Sequence, residues 1–428
     1  MSEARDTSDR EVDGTRLAPP AAHPLAGNRL LEVGLLFFTL GWIAFGGPAA
    51  HVALMREECV KRRKWLSEER FLDLFGAVNL IPGPSSTQLA IYLGYLRAGW
   101  PGLFLAGVCF IVPAMAIVLA LAWAYVTYQS LPQVGWLLYG VKPVVIAVIA
   151  QAIVGLGRTA LRGALPIIAF LALLALYLLG VNILVVLFGG ALVFAILRLI
   201  VSRGDATGGA SLALVALGLS GSLERLRIPS ALPALRAAGR IALPVTLALA
   251  APATLLALFL TFLKLGAVVY GSGYTLLAFI RDDFVLRLHW LTEQQALDAI
   301  SIGQVTPGPV FTTATFIGYL VLGWQGALVA TLGIFLPSFL FVPFIHLAAT
   351  RLRGSRVVAA ALTGANIAAL ALMTGVSLQL ARAALVDLFT WGIALLSLVI
   401  LLRFKVNPIW LILLSAGASV AAHLLAIV

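Results

Sequence analysis

Asn79-Leu80-Ile81-Pro82-Gly83-Pro84-Ser85-Ser86-Thr87-Gln88 cuts through one apolar stretch, and Gln304-Val305-Thr306-Pro307-Gly308-Pro309-Val310-Phe311-Thr312-Thr313 cuts through another 225 positions later. Proline removes a backbone donor and clashes with the preceding turn, and the residue before it is driven out of helical geometry, so no continuous helix passes either motif. Two half-length helices are predicted to meet at each break. Pro84 and Pro309 suit the first position of the second helix, which leaves the N–H groups of Ser85, Ser86 and Thr87, and of Val310, Phe311 and Thr312, facing the break with the positive end of the helix dipole. Such an end suits an anion.

The surroundings of the motifs identify the solvent. Of 428 residues 61% are apolar and 11% charged, with a mean hydropathy of +1.03, a balance that belongs in a bilayer. Apolar runs able to cross about 30 Å of hydrocarbon recur at 103–125, 134–155, 165–179, 183–197, 243–280, 327–345, 357–380, 386–402 and 409–427. The net charge of +11 resides in short connections between these runs, which speaks for membrane topology and against a nucleic-acid face. Two cysteines and five scattered histidines offer neither a disulfide framework nor metal-ligand spacing, and no cofactor is expected. Residues 1–28 mix charges with prolines and read as a disordered cytoplasmic tail.

The motif recurs because the chain is duplicated. At an offset of 225, Gly41 matches Gly266, Arg56 matches Arg281, Trp65-Leu66 matches Trp290-Leu291 and Asp73 matches Asp298; after the break the offset becomes 224, pairing Gly94-Tyr95 with Gly318-Tyr319, Gly99-Trp100 with Gly323-Trp324 and Pro113 with Pro337. This gives two membrane repeats, 29–201 and 241–428, joined by a Gly-, Ser- and Arg-rich cytoplasmic linker, 202–240. The connection after Arg56 carries Lys61, Arg62, Arg63, Lys64 and Arg70, whereas its counterpart has Arg281 and Arg287 among Asp282, Asp283 and Glu293. The positive-inside rule therefore favours halves of opposite orientation over parallel ones. Inversion needs one more crossing in the second half, which the long run 243–280 is expected to supply. The fold class expected is an all-α integral membrane protein of two homologous repeats, with broken or re-entrant helices at Pro-Gly-Pro.

Asn79, Gln88 and Gln304, with the hydroxyls of Ser85, Ser86, Thr87, Thr312 and Thr313, supply neutral donors to the breaks. A second pair of breaks lies upstream at Gly46-Gly47-Pro48 and Gly271-Ser272-Gly273, and a central site lined by four helix ends is the natural arrangement. Lys142 either attracts the anion at membrane depth or snorkels to an interface, and Lys264 leans to snorkelling. Arg56 and Arg281 serve local salt bridges or topology, with gating as the sharper alternative. Asp73 and Asp298 fall at loop edges.

Phe45-Gly46-Gly47-Pro48, Arg56 through Trp65-Leu66, both Pro-Gly-Pro motifs with their following Gly-Tyr, and Pro113 and Pro337 together resemble the chromate ion transporter family, in its long-chain, two-domain branch. The resemblance implies a bacterial inner-membrane protein, not an enzyme, that exports chromate and confers resistance. Sulfate, of the same shape and charge, is the alternative cargo, and a passive anion channel the alternative mode. The partners implied are an oxyanion and the bilayer, without nucleic acid; a homodimer stays open.

Overall fold

The computed structural model describes residues 26–128, 130–204, 252–270, 275–352, 355–404 and 406–425, which contain helices and no strand. Four described helices, Ser85–Tyr128, Pro132–Ala160, Val310–Ile345 and Val357–Ala384, are long and apolar enough to cross a bilayer. Large apolar side chains such as Phe104, Trp123, Leu332, Leu396 and Leu414 stand exposed, as lipid-facing positions require. The chain is a multi-pass, all-α membrane protein.

The first half folds as α1 (Ala26–Ile43), α2 (Gly47–Arg56), α3 (Glu68–Val78), α4 (Ser85–Tyr128), α5 (Pro132–Ala160), α6 (Ala164–Leu178) and α7 (Gly190–Gly204). The second follows the same order as α8 (Leu255–Val268), α9 (Leu276–Phe279), α10 (Glu293–Val305), α11 (Thr313–Leu352), α12 (Arg356–Ala384), α13 (Leu388–Arg403) and α14 (Pro408–Leu424). Of the run 243–280, the described residues include α8 and α9, the counterparts of α1 and α2; 243–251, the part left for an added crossing, and 271–274 lie outside the described residues, as do 1–25 of the tail and 205–240 of the linker.

The repeat extends to single dihedral angles. α4 breaks at Ala98 (φ −141°, ψ 21°) and Gly99 (φ 65°, ψ −152°), and α11 breaks at Leu322 (φ −139°, ψ 27°) and Gly323 (φ 63°, ψ −155°). Only glycine adopts the second of these conformations readily. Each break folds the long helix back on itself so that Gly94 lies against the backbone of Gly102, and Gly318 against that of Gly326, with no room for a Cβ.

At the base of the first half, the Glu32 carboxylate accepts hydrogen bonds from Trp65 Nε1 (2.9 Å) and from Arg97 (2.7 and 3.1 Å). The chain that descends along α3 into the Pro-Gly-Pro break thus returns, along the first limb of α4, to the level it left. Each half then exchanges partners with the other: α5 packs against α13 and α14, α12 packs against α6 and α7, and α4 crosses α11. The ends of these contacts are specific. Arg198, near the end of α7, donates to Thr363 near the start of α12 (2.7 Å), and Tyr177, at the end of α6, donates to Gln379 toward the end of α12 (3.1 Å).

Candidate functional site

Ser67 caps α3 by accepting from the Arg70 amide (3.2 Å), and Thr292 caps α10 in a reciprocal box with Gln295 (3.0 and 3.1 Å), so both helices that lead into a Pro-Gly-Pro start from built caps. α3 stops at Val78 and α4 begins at Ser85, directly after Pro84. Gly83 (φ +118°) donates its N–H to the Val269 carbonyl (2.7 Å), and Gly308 (φ +83°) donates to the Ala44 carbonyl (2.9 Å). Ala44 and Val269 are themselves repeat partners, so each motif is fastened to the other half's first helix. A Cβ on Gly308 would lie 2.7 Å from the Ala114 methyl, and one on Gly83 would lie 3.3 Å from Ser338 Oγ.

Around the first break the polar groups are only partly satisfied. Gln88 Nε2 donates to the Pro82 carbonyl (2.6 Å), and His51 bridges Ser86 Oγ (3.2 Å) to the Ala44 carbonyl (3.0 Å). Thr87 Oγ1, Gln88 Oε1 and Ser338 Oγ are buried without a hydrogen-bond partner. A buried polar atom left unpaired costs about 1–3 kcal/mol, so these three call for partners beyond the protein, water among them. Ser338 was not singled out in the sequence; its signal is a hydroxyl directly after the repeat-matched Pro337 where the first half has Ala114.

A cavity of ≈ 890 Å³ opens at this break. Gly46, Pro48, Asn79, Gly83 and Ser85 bound it from the two breaks of the first half, Gln151 and Thr159 from α5, Thr363 and Asn366 from α12, with Tyr270 and Thr275 completing it. Tyr270 donates its hydroxyl to the Asn79 carbonyl, tying the second half to the C-terminal end of α3. Among the described residues no charged side chain lines this cavity; its polar groups are amides and hydroxyls at the positive end of the α4 dipole.

The second half is arranged differently. Gln304, Pro307, Gly308, Pro309, Thr312 and Thr313 do not line the cavity, and Gly271, Ser272 and Gly273 lie outside the described residues. Pro309 does not open the helix: a single tight turn, Val310–Thr312, precedes α11, the Thr312 N–H donates to the Pro309 carbonyl (3.0 Å), and the hydroxyls of Thr312 and Thr313 turn onto the carbonyls of Pro309 (2.7 Å) and Val310 (2.8 Å). Gly47, Pro82, Pro84, Ser86, Thr87 and Gln88 pack around the first break without lining the cavity.

Charged positions singled out in the sequence are held in ion pairs. Asp298 is not at a loop edge but buried within α10, where it pairs with Lys142 Nζ (2.8 Å) and accepts from the Tyr125 hydroxyl (2.9 Å). Lys142 is therefore neutralised in the interior. Lys264, its side chain partly exposed, pairs with Asp283 (2.6 Å). Arg56 and Arg281 bond the first residue of the following helix, Glu68 (2.5 Å) and Glu293 (2.6 Å), the same pairing in both halves.

Two interlocked helical repeats, with broken helices meeting at a cavity edged by amides and hydroxyls, define a transporter-type architecture. The chromate transporter family model matches residues 31–195 and 256–420, one match per repeat, and the chain belongs to that family. It is 31% identical to a chromate transport protein of Cupriavidus metallidurans over 91% of this chain and 92% of that one. It is also 32% identical to a chromate transport protein of Pseudomonas aeruginosa, over 80% and 78% of the two chains. A probable chromate transport protein of Synechococcus elongatus is 31% identical over 86% and 89%. No solved structure matches.

Proposed function

We propose that this protein exports chromate across the bacterial inner membrane and so confers resistance, binding the dianion in the first-half cavity. The observation that carries the site is the cavity's position at the α4 N-terminus, where the helix's amide dipoles meet the neutral side chains of Asn79, Ser85 and Asn366. Neutral donors bind a tetrahedral oxyanion without holding it as a fixed countercharge would, which suits a cargo that must leave again. The family match and the named relatives support chromate as that cargo.

The two halves stand in opposite orientation. In the first half α4 leaves the Glu32 level after its break, and α5, α6 and α7 follow in alternation, so the end of α7 returns there. Arg198 near that end touches the start of α12, whose first-half counterpart α5 starts at the opposite level. The loop-charge asymmetry points the same way. Arg56 and Arg281, matched across the halves, then sit at opposite entrances.

The test is flux of labelled chromate and sulfate in proteoliposomes under imposed voltage and pH gradients. Saturable chromate movement that falls at least about tenfold in Asn366→Leu and Ser85→Ala, with sulfate as competitor, supports the reading. Unchanged flux in both variants would sink the site placement, and non-saturating flux without counterflow would indicate a channel.

A further inference from the structure

The cavity has a counterpart that is shut. Carrying its lining across by the repeat register turns Val52 into Leu277, Phe75 into Ile300, Ala152 into Val376 and Leu156 into Leu380. The four first-half residues are partly exposed, whereas the four counterparts are 0–1% exposed. The same operation turns Asn366, exposed in the cavity wall, into Lys142, buried and paired with Asp298. Two halves that agree to within a few degrees at Ala98-Gly99 and Leu322-Gly323 therefore differ in whether this space is open.

We propose that Lys142, Asp298 and Tyr125 form a charge latch that holds the second half's vestibule closed while the first half's is open, and that Lys142 becomes an anion-contacting residue when the two exchange. The inference rests on the transport reading above. The latch joins α5 and α4 of one half to α10 of the other, so any movement that opens this space must part it. A buried ion pair fits that role because its desolvation cost offsets much of its attraction. It closes the space without locking it, while loss of one partner leaves a lone interior charge that draws water in. Freed from Asp298, the Lys142 ammonium would offer three donors and a positive charge to an oxyanion at the equivalent of the Asn366 position.

The experiment is labelling by a membrane-impermeant maleimide, applied from each face, in a background with Cys59 and Cys109 replaced by alanine. Ala152→Cys and Val376→Cys are repeat-related probes of nearly native size. In the parent background Ala152→Cys reacts from one face and Val376→Cys from neither. Asp298→Asn is expected to speed the reaction of Val376→Cys by about tenfold, from the face opposite to that of Ala152→Cys, and to slow Ala152→Cys. Tyr125→Phe removes one hydrogen bond to Asp298 and little volume, and produces a smaller acceleration of the same sense, which keeps the test decisive should the Asp298 variant fail to insert. Val376→Cys remaining inert in whichever variants insert, or reacting from the same face as Ala152→Cys, overturns the latch. Labelling uses no substrate, so a parent protein that carries no chromate counts against the transport reading alone.

Discussion

Gly83 and Gly308 hold the same place in the repeat, yet substitution meets different obstacles at each. Both have positive φ, where a Cβ costs roughly 1–2 kcal/mol whatever the space around it. At Gly83 the new methyl would also press on the amide end of Gln88, which can swing away, whereas at Gly308 it would meet the Ala114 methyl on a packed helix. Overpacking of that kind adds about 1–3 kcal/mol. Gly308→Ala is therefore expected to lower thermal stability in detergent more than Gly83→Ala. Ala114→Gly should restore part of the loss in the first and none in the second, a double-mutant comparison that isolates the contact. These glycines were legible from Pro-Gly-Pro alone, because such a break needs a residue free to take positive φ. Ser338 and the Lys142–Asp298 pair were not, since nothing local in the sequence says which distant helix a hydroxyl or carboxylate will face.

At the scale of elements, the breaks in α4 and α11 separate conformation from packing. A Cβ at Gly99 or Gly323 has nothing within 4 Å, so replacement by alanine meets no clash, only a disfavoured backbone. Gly99→Ala and Gly323→Ala should each cost about 1–3 kcal/mol, and by similar amounts, measured as the loss of thermal stability in detergent. A marked inequality would mean that the two folded limbs are less alike than their dihedral angles. The N-terminus of α13 tests an electrostatic device. Asp387 caps it, its carboxylate accepting from the Thr390 amide (2.8 Å) and from the Tyr139 hydroxyl across the half interface. Burial pushes this carboxyl up, but the hydrogen bonds from Tyr139 and Thr390 prevail and hold it below its ordinary 3.8. A depressed folded value means stability that is present above the ordinary value and lost as pH falls through the lower one. Asp387→Ala should cost about 1 kcal/mol at neutral pH. Asp387→Asn keeps a cap, and its stability deficit relative to the native protein should shrink as the pH is lowered past that range. The stretches of α5, α6, α12, α13 and α14 followed from hydropathy, but the folded limbs of α4 and α11 did not, nor did the tight turn before α11, because Val310–Thr312 differs from Ser85–Thr87 in how its side chains compete for backbone carbonyls.

For the whole molecule, duplication was the most legible property, since matched glycines, prolines and tryptophans survive wherever backbones touch or chains turn. What the sequence could not display is the exchange of α5 and α12 between halves and the one-sidedness of the cavity, both products of packing rather than of any motif. That one-sidedness bears on energetics. Among the described residues no charged side chain lines the cavity, and with such a lining a bound dianion would be carried with its charge uncompensated by the site. Moving two negative charges out of an inside-negative compartment releases about 4.6 kcal/mol per 100 mV, twice the figure for one charge. Export can then run on membrane potential alone, and uptake would require a coupled cation. In proteoliposomes clamped with potassium and valinomycin, chromate should leave the lumen faster when the lumen is made negative, and net movement should reverse when the imposed potential does, at constant pH on both sides. A rate indifferent to voltage but driven by a pH gradient would mean that protons accompany the anion. The compensating charge would then have to come from a group outside this cavity, and the buried Asp298 would be the first residue to test.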